Sequence, residues 1–185
     1  MRTGAFKAAI AVLAVAALAL TATPGATGES RCGRFAQAPR DATDHQLRTS
    51  VLCLVNMVRK RRGIARLRFD RSLRDSATGH SRSMVRSNRL THYGPSGSTL
   101  TSRVARSGYL AGASFYRLAE NIGAGRGRSN GSALAIVRDW MDSAGHKANI
   151  LDRRMRDFGV GIARGNPLGS SHNAVTYTLD LGARN

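Results

Sequence analysis

The sequence predicts an α+β domain in which helices cover a small antiparallel sheet. Apolar residues recur at helical spacing through the first two thirds of the chain, whereas the C-terminal segment alternates in the manner of strands. No strand–helix–strand alternation connects the two regions. Because helices come first and strands last, we expect the helices to pack on one antiparallel sheet.

Residues 1–28 are interpreted as a secretory signal peptide that takes no part in the fold. Arg2 and Lys7 give a positive start, an unbroken apolar run covers residues 8–20, and small residues follow. This run is shorter than the roughly 20 apolar residues that span a bilayer, and no second candidate follows it. We therefore expect a secreted protein with no transmembrane span after signal removal. A retained N-terminal anchor is the alternative.

The rest of the chain is divided into an N-terminal arm, residues 29–43, and one domain, residues 44–185, which is long enough to bury a core. The only two cysteines are Cys32 in the arm and Cys53 in the first predicted helix. An even count in an oxidising compartment predicts one disulfide between them, with two free thiols as the alternative. Neither cysteine has the spacing of a zinc site.

Charge is the strongest feature of the composition. Lys and Arg number 29 against 11 Asp and Glu, a formal net charge of +18. Such a surface concentrates anions, so an anionic cell-wall polymer or an anionic lipid is a candidate partner. Arginine far exceeds lysine, however, and a GC-rich genome would produce that bias without any function. Nucleic acid is not expected as a partner, since an acidic metal cluster of the nuclease type is absent from the sequence.

Two long helices are predicted first. One covers residues 41–62 and ends before Gly63, and the other follows the N-cap residue Asp70 and ends near Asn88. Cations in the basic run at residues 59–62 suit the C-terminal end of a helix dipole.

The remaining elements alternate between glycine-rich loops and short regular segments. Residues 108–131 are expected to be loop, with at most a short extended piece around LAENIGAG. SAGHKANIL, residues 143–151, is expected to form a turn and one further helical turn. The other predicted elements are a loop at 91–99, helices at 100–107 and 132–142, and a hairpin of FGVGIARG and AVTYTLDLG.

Three ionisable residues are candidates for chemistry: His92, Glu120 and His146. His92 lies in a glycine–proline loop and His146 beside a glycine at a helix boundary, so both can reach solvent. Glu120 is one of only two glutamates and lies in an apolar, glycine-rich context. A carboxylate there must be hydrogen-bonded or charge-paired, or its pKa rises. A glutamate that merely pins a loop is the alternative. Of the other histidines, His80 is expected in or near the core, and His45 and His172 at the surface.

Two histidines, a glutamate and a water form one type of catalytic zinc site, and the same residues could form an acid–base cluster. The HExxH spacing of many zinc enzymes is absent. Ser143 lies near His146, but the GxSxG motif of a nucleophilic serine is absent as well. Enzymatic activity is therefore left open.

A series of motifs resembles a bacterial member of the CAP superfamily, also called the SCP-like extracellular or pathogenesis-related-1 family. In chain order they are NMVRKRRG, HSRSM, THYGPSG with SRVARSGY after it, AENIGAG, WMDSAGHKANIL, FGVGIA and YTLDLG, within residues 44–182. The resemblance implies an α-β-α sandwich with a central antiparallel sheet and a shallow cleft. Matched residue by residue, the cleft histidines fall on His92 and His146, and the glutamate of the ENI motif falls on Glu120.

The sequence departs from the eukaryotic pattern, which has a further glutamate just after the helix tryptophan. Here Trp140 is followed by Met141 and Asp142, so a complete four-residue metal site is not implied. The segment TYTLDLG keeps the aspartate of its motif, Asp180, without an aromatic residue after it.

The family shares no single activity, and a fold does not select one. We expect a monomeric, secreted binding module whose cleft, formed by His92, Glu120 and His146, holds a divalent cation such as zinc or a small ligand. The alternatives are a hydrolase that uses Glu120 or a histidine as acid or base, and a basic protein attached to the cell envelope.

Overall fold

The structure is a computed structural model that describes residues 32–33, 41–169 and 173–185. The predicted signal peptide, most of the predicted arm and His172 lie outside these residues. No helix within the described ranges is both long enough and apolar enough to cross a membrane.

The described chain forms helices around one four-stranded sheet. The helices are α1 Asp44–Arg61, α2 Arg71–Ser87, α3 Leu100–Arg106, α4 Gly127–Gly131, α5 Ala133–Asp142 and α6 Ala144–Leu151, with a 3₁₀ turn at Pro95–Gly97. The strands are β1 Arg68–Phe69, β2 Tyr116–Arg126, β3 Asp157–Arg164 and β4 Ala174–Arg184.

The order of strands across the sheet is β1-β3-β4-β2. The predicted hairpin is confirmed as the antiparallel pair β3 and β4, and β2 pairs antiparallel with the other side of β4. The two-residue β1 runs parallel to β3 and makes the sheet mixed. The predicted α+β class is confirmed.

Capping residues set the bounds of the two long helices. Thr43 caps α1 in a reciprocal capping box with Gln46, and the carboxylate of Asp70 accepts a hydrogen bond from the first turn of α2. Gly63 follows α1 with a φ of +62°, and Asn88 ends α2 in the left-handed conformation. Both helices therefore lie where the sequence predicted them.

The short extended piece predicted around LAENIGAG, residues 118–125, corresponds to β2, but the strand has eleven residues, so less of the segment 108–131 is loop than predicted. Glycine lowers strand propensity, so the glycines of this segment made the full length of the strand hard to predict from the sequence. These glycines allow close packing. A Cβ atom added at Gly123 would lie 3.2 Å from Trp140 Nε1, and one added at Gly125 would overlap the backbone of Asn130. The glycines of β2 thus make room for α4 and α5.

The sheet lies between two helical layers. One face of β3 and β4 is apolar and packs on α1, α5 and α6 in the main core. The opposite face of β4 carries Thr178 and Asp180, which hydrogen-bond to Ser81 and Ser76 of α2. The α-β-α arrangement implied by the resemblance is confirmed, and its α2 side is the more polar of the two.

The helix α2 lies unusually close to β3 because two glycines face it. A Cβ atom added at Gly159 would lie 2.0 Å from the backbone of Arg74, and one at Gly161 would lie 2.1 Å from that of Ala77. The sheet therefore contacts the backbone of α2 directly.

Cys32 and Cys53 form the predicted disulfide, which joins the arm to α1. Arg59, interpreted from sequence as part of a basic run suited to the helix dipole, is fully buried. Its guanidinium donates to the backbone oxygens of Ala65, Ile150, Asp152 and Met155. Arg59 therefore connects the end of α1 to the end of α6.

Candidate functional site

The candidate site is built around Glu120, which β2 places on the face of the sheet covered by α2. His92 Nδ1 lies 2.8 Å from Glu120 Oε1. The His92 side chain is 53% exposed, whereas that of Glu120 is 3% exposed. A carboxylate oxygen can only accept a hydrogen bond, so His92 Nδ1 must be the donor and carry a proton. In the neutral tautomer, Nε2 then keeps its lone pair. The pair connects a buried carboxylate to an imidazole that solvent reaches.

Arg103, on α3, binds the other oxygen of the same carboxylate. Its Nη2 donates to Glu120 Oε2 at 2.5 Å, and its Nη1 donates to the backbone oxygens of His92 and Ser98, both at 3.0 Å. The Arg103 side chain is itself buried. One guanidinium thus balances the charge of Glu120 and fixes the loop that carries His92.

Two carboxyl groups meet in this region. Burial alone would raise the pKa of Glu120, but the hydrogen bond from His92 and the interactions with His80 and Arg103 outweigh it, and the pKa is lowered. Asp180 is the strand partner of Glu120. Burial, and then the negative charge of Glu120, raise the pKa of Asp180 well above its usual range. Ser76 Oγ donates to Asp180 Oδ2 at 2.7 Å. The two neighbouring carboxyl groups therefore have pKa values that are displaced in opposite directions.

His80 lies beneath the cluster on α2 and is buried, as predicted. Its Nε2 lies 2.9 Å from the backbone oxygen of Thr91 and 3.8 Å from Glu120 Oε2. A carbonyl only accepts, so Nε2 carries the ring proton and Nδ1 is an acceptor. Burial lowers the pKa of His80, which keeps the ring neutral.

His146 lies in the first turn of α6, a full helix of eight residues where the sequence predicted a single turn. Asn121 Nδ2 donates to the backbone oxygen of His146 at 3.0 Å. Asn149 Nδ2 donates to Asn121 Oδ1 at 2.9 Å and to the backbone oxygen of Glu120 at 3.3 Å. Burial, and then the electrostatic interaction with His92, lower the pKa of His146. The two asparagines therefore tie α6 to the strand that carries Glu120.

The geometry does not form a three-ligand metal centre from His92, Glu120 and His146. Within the described part of the chain, no three His, Cys, Asp or Glu side chains form a group that could hold a metal ion. Both oxygens of Glu120 are engaged, one by His92 and one by Arg103. A three-ligand centre that includes Glu120 does not fit this arrangement, whereas Glu120 does fit the role of a carboxylate that orients a histidine. Asp142 is exposed and lines a separate groove between α1 and α5.

Sequence reasoning missed three residues of the site: Arg103, Asn121 and Asn149. Arg103 lies in the quoted segment SRVARSGY, but it is one of many arginines, and its burial depends on how α3 packs. The asparagines lie inside the quoted motifs AENIGAG and SAGHKANIL, directly after Glu120 and three residues after His146. Their proximity in sequence to Glu120 and His146 is the signal that could have indicated a role in the site.

Comparison with known families identifies the fold. The model of the CAP, or cysteine-rich secretory protein, family matches residues 52–180. The chain belongs to the CAP family. The match includes Cys53, His92, Glu120, His146 and Asp180.

This CAP domain is similar to two curated proteins of Bacillus subtilis (strain 168). The uncharacterized membrane protein YlbC is 29% identical over 114 residues, which are 62% of this chain and 31% of YlbC. The uncharacterized protein YkwD is 31% identical over 112 residues, 60% of this chain and 40% of YkwD. The match thus covers less than half of the length of either relative.

Solved structures support the same fold. An extracellular protein containing an SCP domain from Bacillus anthracis is 26% identical, with a TM-score of 0.59 over 76% of this chain and 43% of that chain. An outer surface protein from Borrelia burgdorferi is 18% identical, with a TM-score of 0.59 over 73% of this chain and 90% of that chain. The second likeness shows the fold alone.

Proposed function

We propose that this CAP domain is an extracellular binding module in which His92 and His146 bind a small ligand, in the simplest case a divalent cation. The observation that carries the proposal is the hydrogen bond between His92 Nδ1 and Glu120. It directs the proton to Nδ1 and leaves Nε2, on a half-exposed ring, as a lone-pair donor. The Bacillus anthracis relative, which is described as extracellular, and the predicted signal peptide support the location.

The electrostatics suit a ligand that binds neutral imidazole. The pKa of His146 is lowered by burial, so that its ring is neutral at physiological pH. Glu120 does not contact the ligand in this proposal. Its hydrogen bond with His92 Nδ1 orients the ring and raises the basicity of the other ring nitrogen, Nε2. Arg103 prevents Glu120 from turning toward a cation, since it holds the remaining carboxylate oxygen.

Equilibrium dialysis with zinc at pH 7.5 tests this assignment. We expect uptake by the native protein, retained in a His45→Ala control because His45 is exposed on α1, the helix that packs on the apolar face of the sheet. The His92→Ala, His146→Ala double variant should lose it. Equal uptake by the native and double-variant proteins would show that the cleft is not the site, and no uptake by the native protein would contradict a cation as the ligand.

One specific observation favours a hydrolase as the second candidate. A histidine oriented by a buried carboxylate can act as a general base on water. His92 and Glu120 have this relationship at 2.8 Å. A screen of peptides, wall fragments and esters would then show turnover that Glu120→Gln lowers. A rate that is the same in Glu120→Gln would eliminate this candidate.

The net charge of +18 supports a further proposal, attachment to an anionic wall polymer or to anionic lipid. Retention on isolated envelopes should fall steeply as ionic strength rises, because salt screens exposed charges. Retention that stays constant from low to physiological salt would argue against it.

A further inference from the structure

A basic surface forms where the end of α1 meets the segment that follows α6. Residues 60–66 read KRRGIAR and residues 152–156 read DRRMR, so seven of these twelve residues are cationic, and all seven are exposed. We call this surface the basic end. Its one carboxylate, Asp152, is paired with Arg154 at 2.9 Å. The other six cations make no salt bridge within the described part of the chain, so they are open to an external anion.

Hydrogen bonds hold the two segments of the basic end together, although 90 residues separate Arg153 from Gly63. Arg153 Nη1 donates to the backbone oxygen of Gly63 at 3.2 Å, and its Nη2 donates to that of Arg62 at 3.4 Å. Arg156 Nη1 donates to the backbone oxygen of Arg153 at 2.6 Å. The buried Arg59 donates to backbone oxygens of both segments. The basic end is therefore preorganised, which lowers the entropy lost when a partner binds.

Folding brings these charges together against their mutual repulsion. The pKa of the buried Arg59 is lowered first by burial and then by the positive charge of Arg156. One further carboxylate, Asp142 of α5, lies in the groove that Arg61 and Arg62 also line, and a single negative charge does not offset six unpaired cations. A GC-rich genome would explain how many arginines the chain has, but it does not bring two distant segments side by side. A bound polyanion would relieve the repulsion.

The residue types of the basic end favour a linear phosphodiester polymer. Six of the seven cations are arginines, and a guanidinium offers paired N–H groups that match two oxygens of one phosphate. Neither segment contains an aromatic residue on which the bases of a nucleic acid could stack. None of the large hydrophobic side chains exposed on the described chain belongs to either segment, whereas surfaces that enter a bilayer present such side chains.

We propose that the basic end binds a linear polymer of phosphodiester units, of the kind that a cell wall contains, through the cations of residues 60–66 and 152–156. This proposal rests on the envelope attachment inferred from the net charge, and it assigns that attachment to one surface and one chemical class of partner. His92, Glu120 and His146 take no part in it, since none of them belongs to the basic end.

Biolayer interferometry of the protein on immobilised poly(glycerol phosphate), at several sodium chloride concentrations, tests the proposal. The triple variant Arg61→Gln, Arg62→Gln, Arg66→Gln should bind about 10- to 100-fold more weakly than the native protein at low salt. Its slope of log affinity against log salt should be shallower by about 2, because three phosphate contacts no longer release counterions. The absence of binding by the native protein would overturn the proposal.

A matched control separates the basic end from general charge. The variant Arg82→Gln, Arg86→Gln, Arg89→Gln removes the same charge from exposed positions in α2 and just after it, and α2 lies across the sheet from α1. It should weaken binding less than about threefold, since salt screens charges outside the contact. Equal weakening by the two triple variants would overturn the assignment to the basic end.

Other probes and a second assay distinguish the remaining outcomes. Vesicles of phosphatidylglycerol and phosphatidylcholine that bind as tightly at equal phosphate concentration would assign the basic end to a membrane instead. Tighter binding of polygalacturonate would contradict the choice of phosphate over carboxylate. Envelope retention that is sensitive to salt but equal in the two triple variants would leave the attachment in place without the basic end, so the two proposals fail separately. The His92→Ala, His146→Ala variant should bind the polymer as the native protein does.

Discussion

Glu120 and Asp180 are direct partners across β2 and β4, and their pKa values are displaced in opposite directions. The two pKa values differ because each carboxyl group has different neighbouring side chains. Glu120 faces His92 and Arg103, which favour its charged form. Asp180 is fully buried and interacts with the negative charge of Glu120, so its charged form is disfavoured although Ser76 donates a hydrogen bond to it.

Replacement of Asp180 by Asn should alter how stability depends on pH. The folded pKa of Asp180 is raised, so its contribution to stability is present below the unfolded pKa of about 3.9 and is lost as pH rises through the folded value. Asparagine does not ionise. Thermal unfolding from pH 4 to pH 8 should therefore show a difference in Tm that moves steadily in favour of Asp180→Asn as pH rises. A difference that stays constant would contradict the assignment.

Replacement of Glu120 by Gln should be much more damaging. It leaves Arg103 buried without its carboxylate, and breaking a buried ion pair costs about 3–5 kcal/mol. The folded pKa of Glu120 is lowered, so this contribution is present above the unfolded pKa and is lost as pH falls through the folded value. Urea unfolding at pH 7 measures the loss. Asp75→Asn, at an exposed ion pair with Arg74, is the control and should cost less than about 1 kcal/mol. Similar losses in both variants would show that the buried pair contributes little.

The bounds of the two long helices could be predicted from the sequence because capping residues mark them. Thr43 and Asp70 cap the N-terminal ends, and Asn88 ends α2. The sequence predicted only a short extended piece where β2 lies, because glycines needed for helix packing obscured the full strand pattern. The resemblance brought His92, Glu120 and His146 together. Arg103 could not be found, since nothing local distinguishes a buried arginine from the exposed ones.

Gly161→Ala should destabilise the fold. Its Cβ would overlap the backbone of Ala77 at 2.1 Å, so α2 must move away from the sheet. Overpacking of this kind costs about 1–3 kcal/mol or more. Gly145→Ala is the matched control: an added Cβ meets nothing within 4 Å on α6, and alanine should stabilise that helix by about 0.5–1 kcal/mol. Chemical denaturation that ranks the two variants in the reverse order would contradict the packing argument.

Arg59→Lys should cost about 2–4 kcal/mol, because lysine cannot reproduce a planar group that donates to four backbone oxygens. Two of those oxygens belong to Ile150 and Asp152 at the end of α6. The NMR signals of His146 should therefore shift in this variant and not in Arg61→Lys, where the side chain is exposed. Unchanged His146 signals in Arg59→Lys would show that α6 is held by other contacts.

Zinc uptake should decrease as pH falls below about 6.5, the ordinary histidine pKa. The pKa of His146 is lowered by burial and by His92, so the ring stays neutral to a lower pH than a free histidine does. Dialysis from pH 8 to pH 5 should then place the midpoint of uptake below that ordinary value. A midpoint above it would indicate that His146 is not a ligand.

The glycines at positions 159 and 161 allow α2 to rest on β3, and α2 is the helix that carries Ser76 and His80. The distance between this helix and the sheet determines whether His80 can approach Glu120 and whether Ser76 can reach Asp180. The alternation Gly-Val-Gly in β3 therefore sets the depth at which the polar cluster forms. A related chain with side chains at both glycine positions would need a wider gap, and its cluster would have to be built from longer residues on α2.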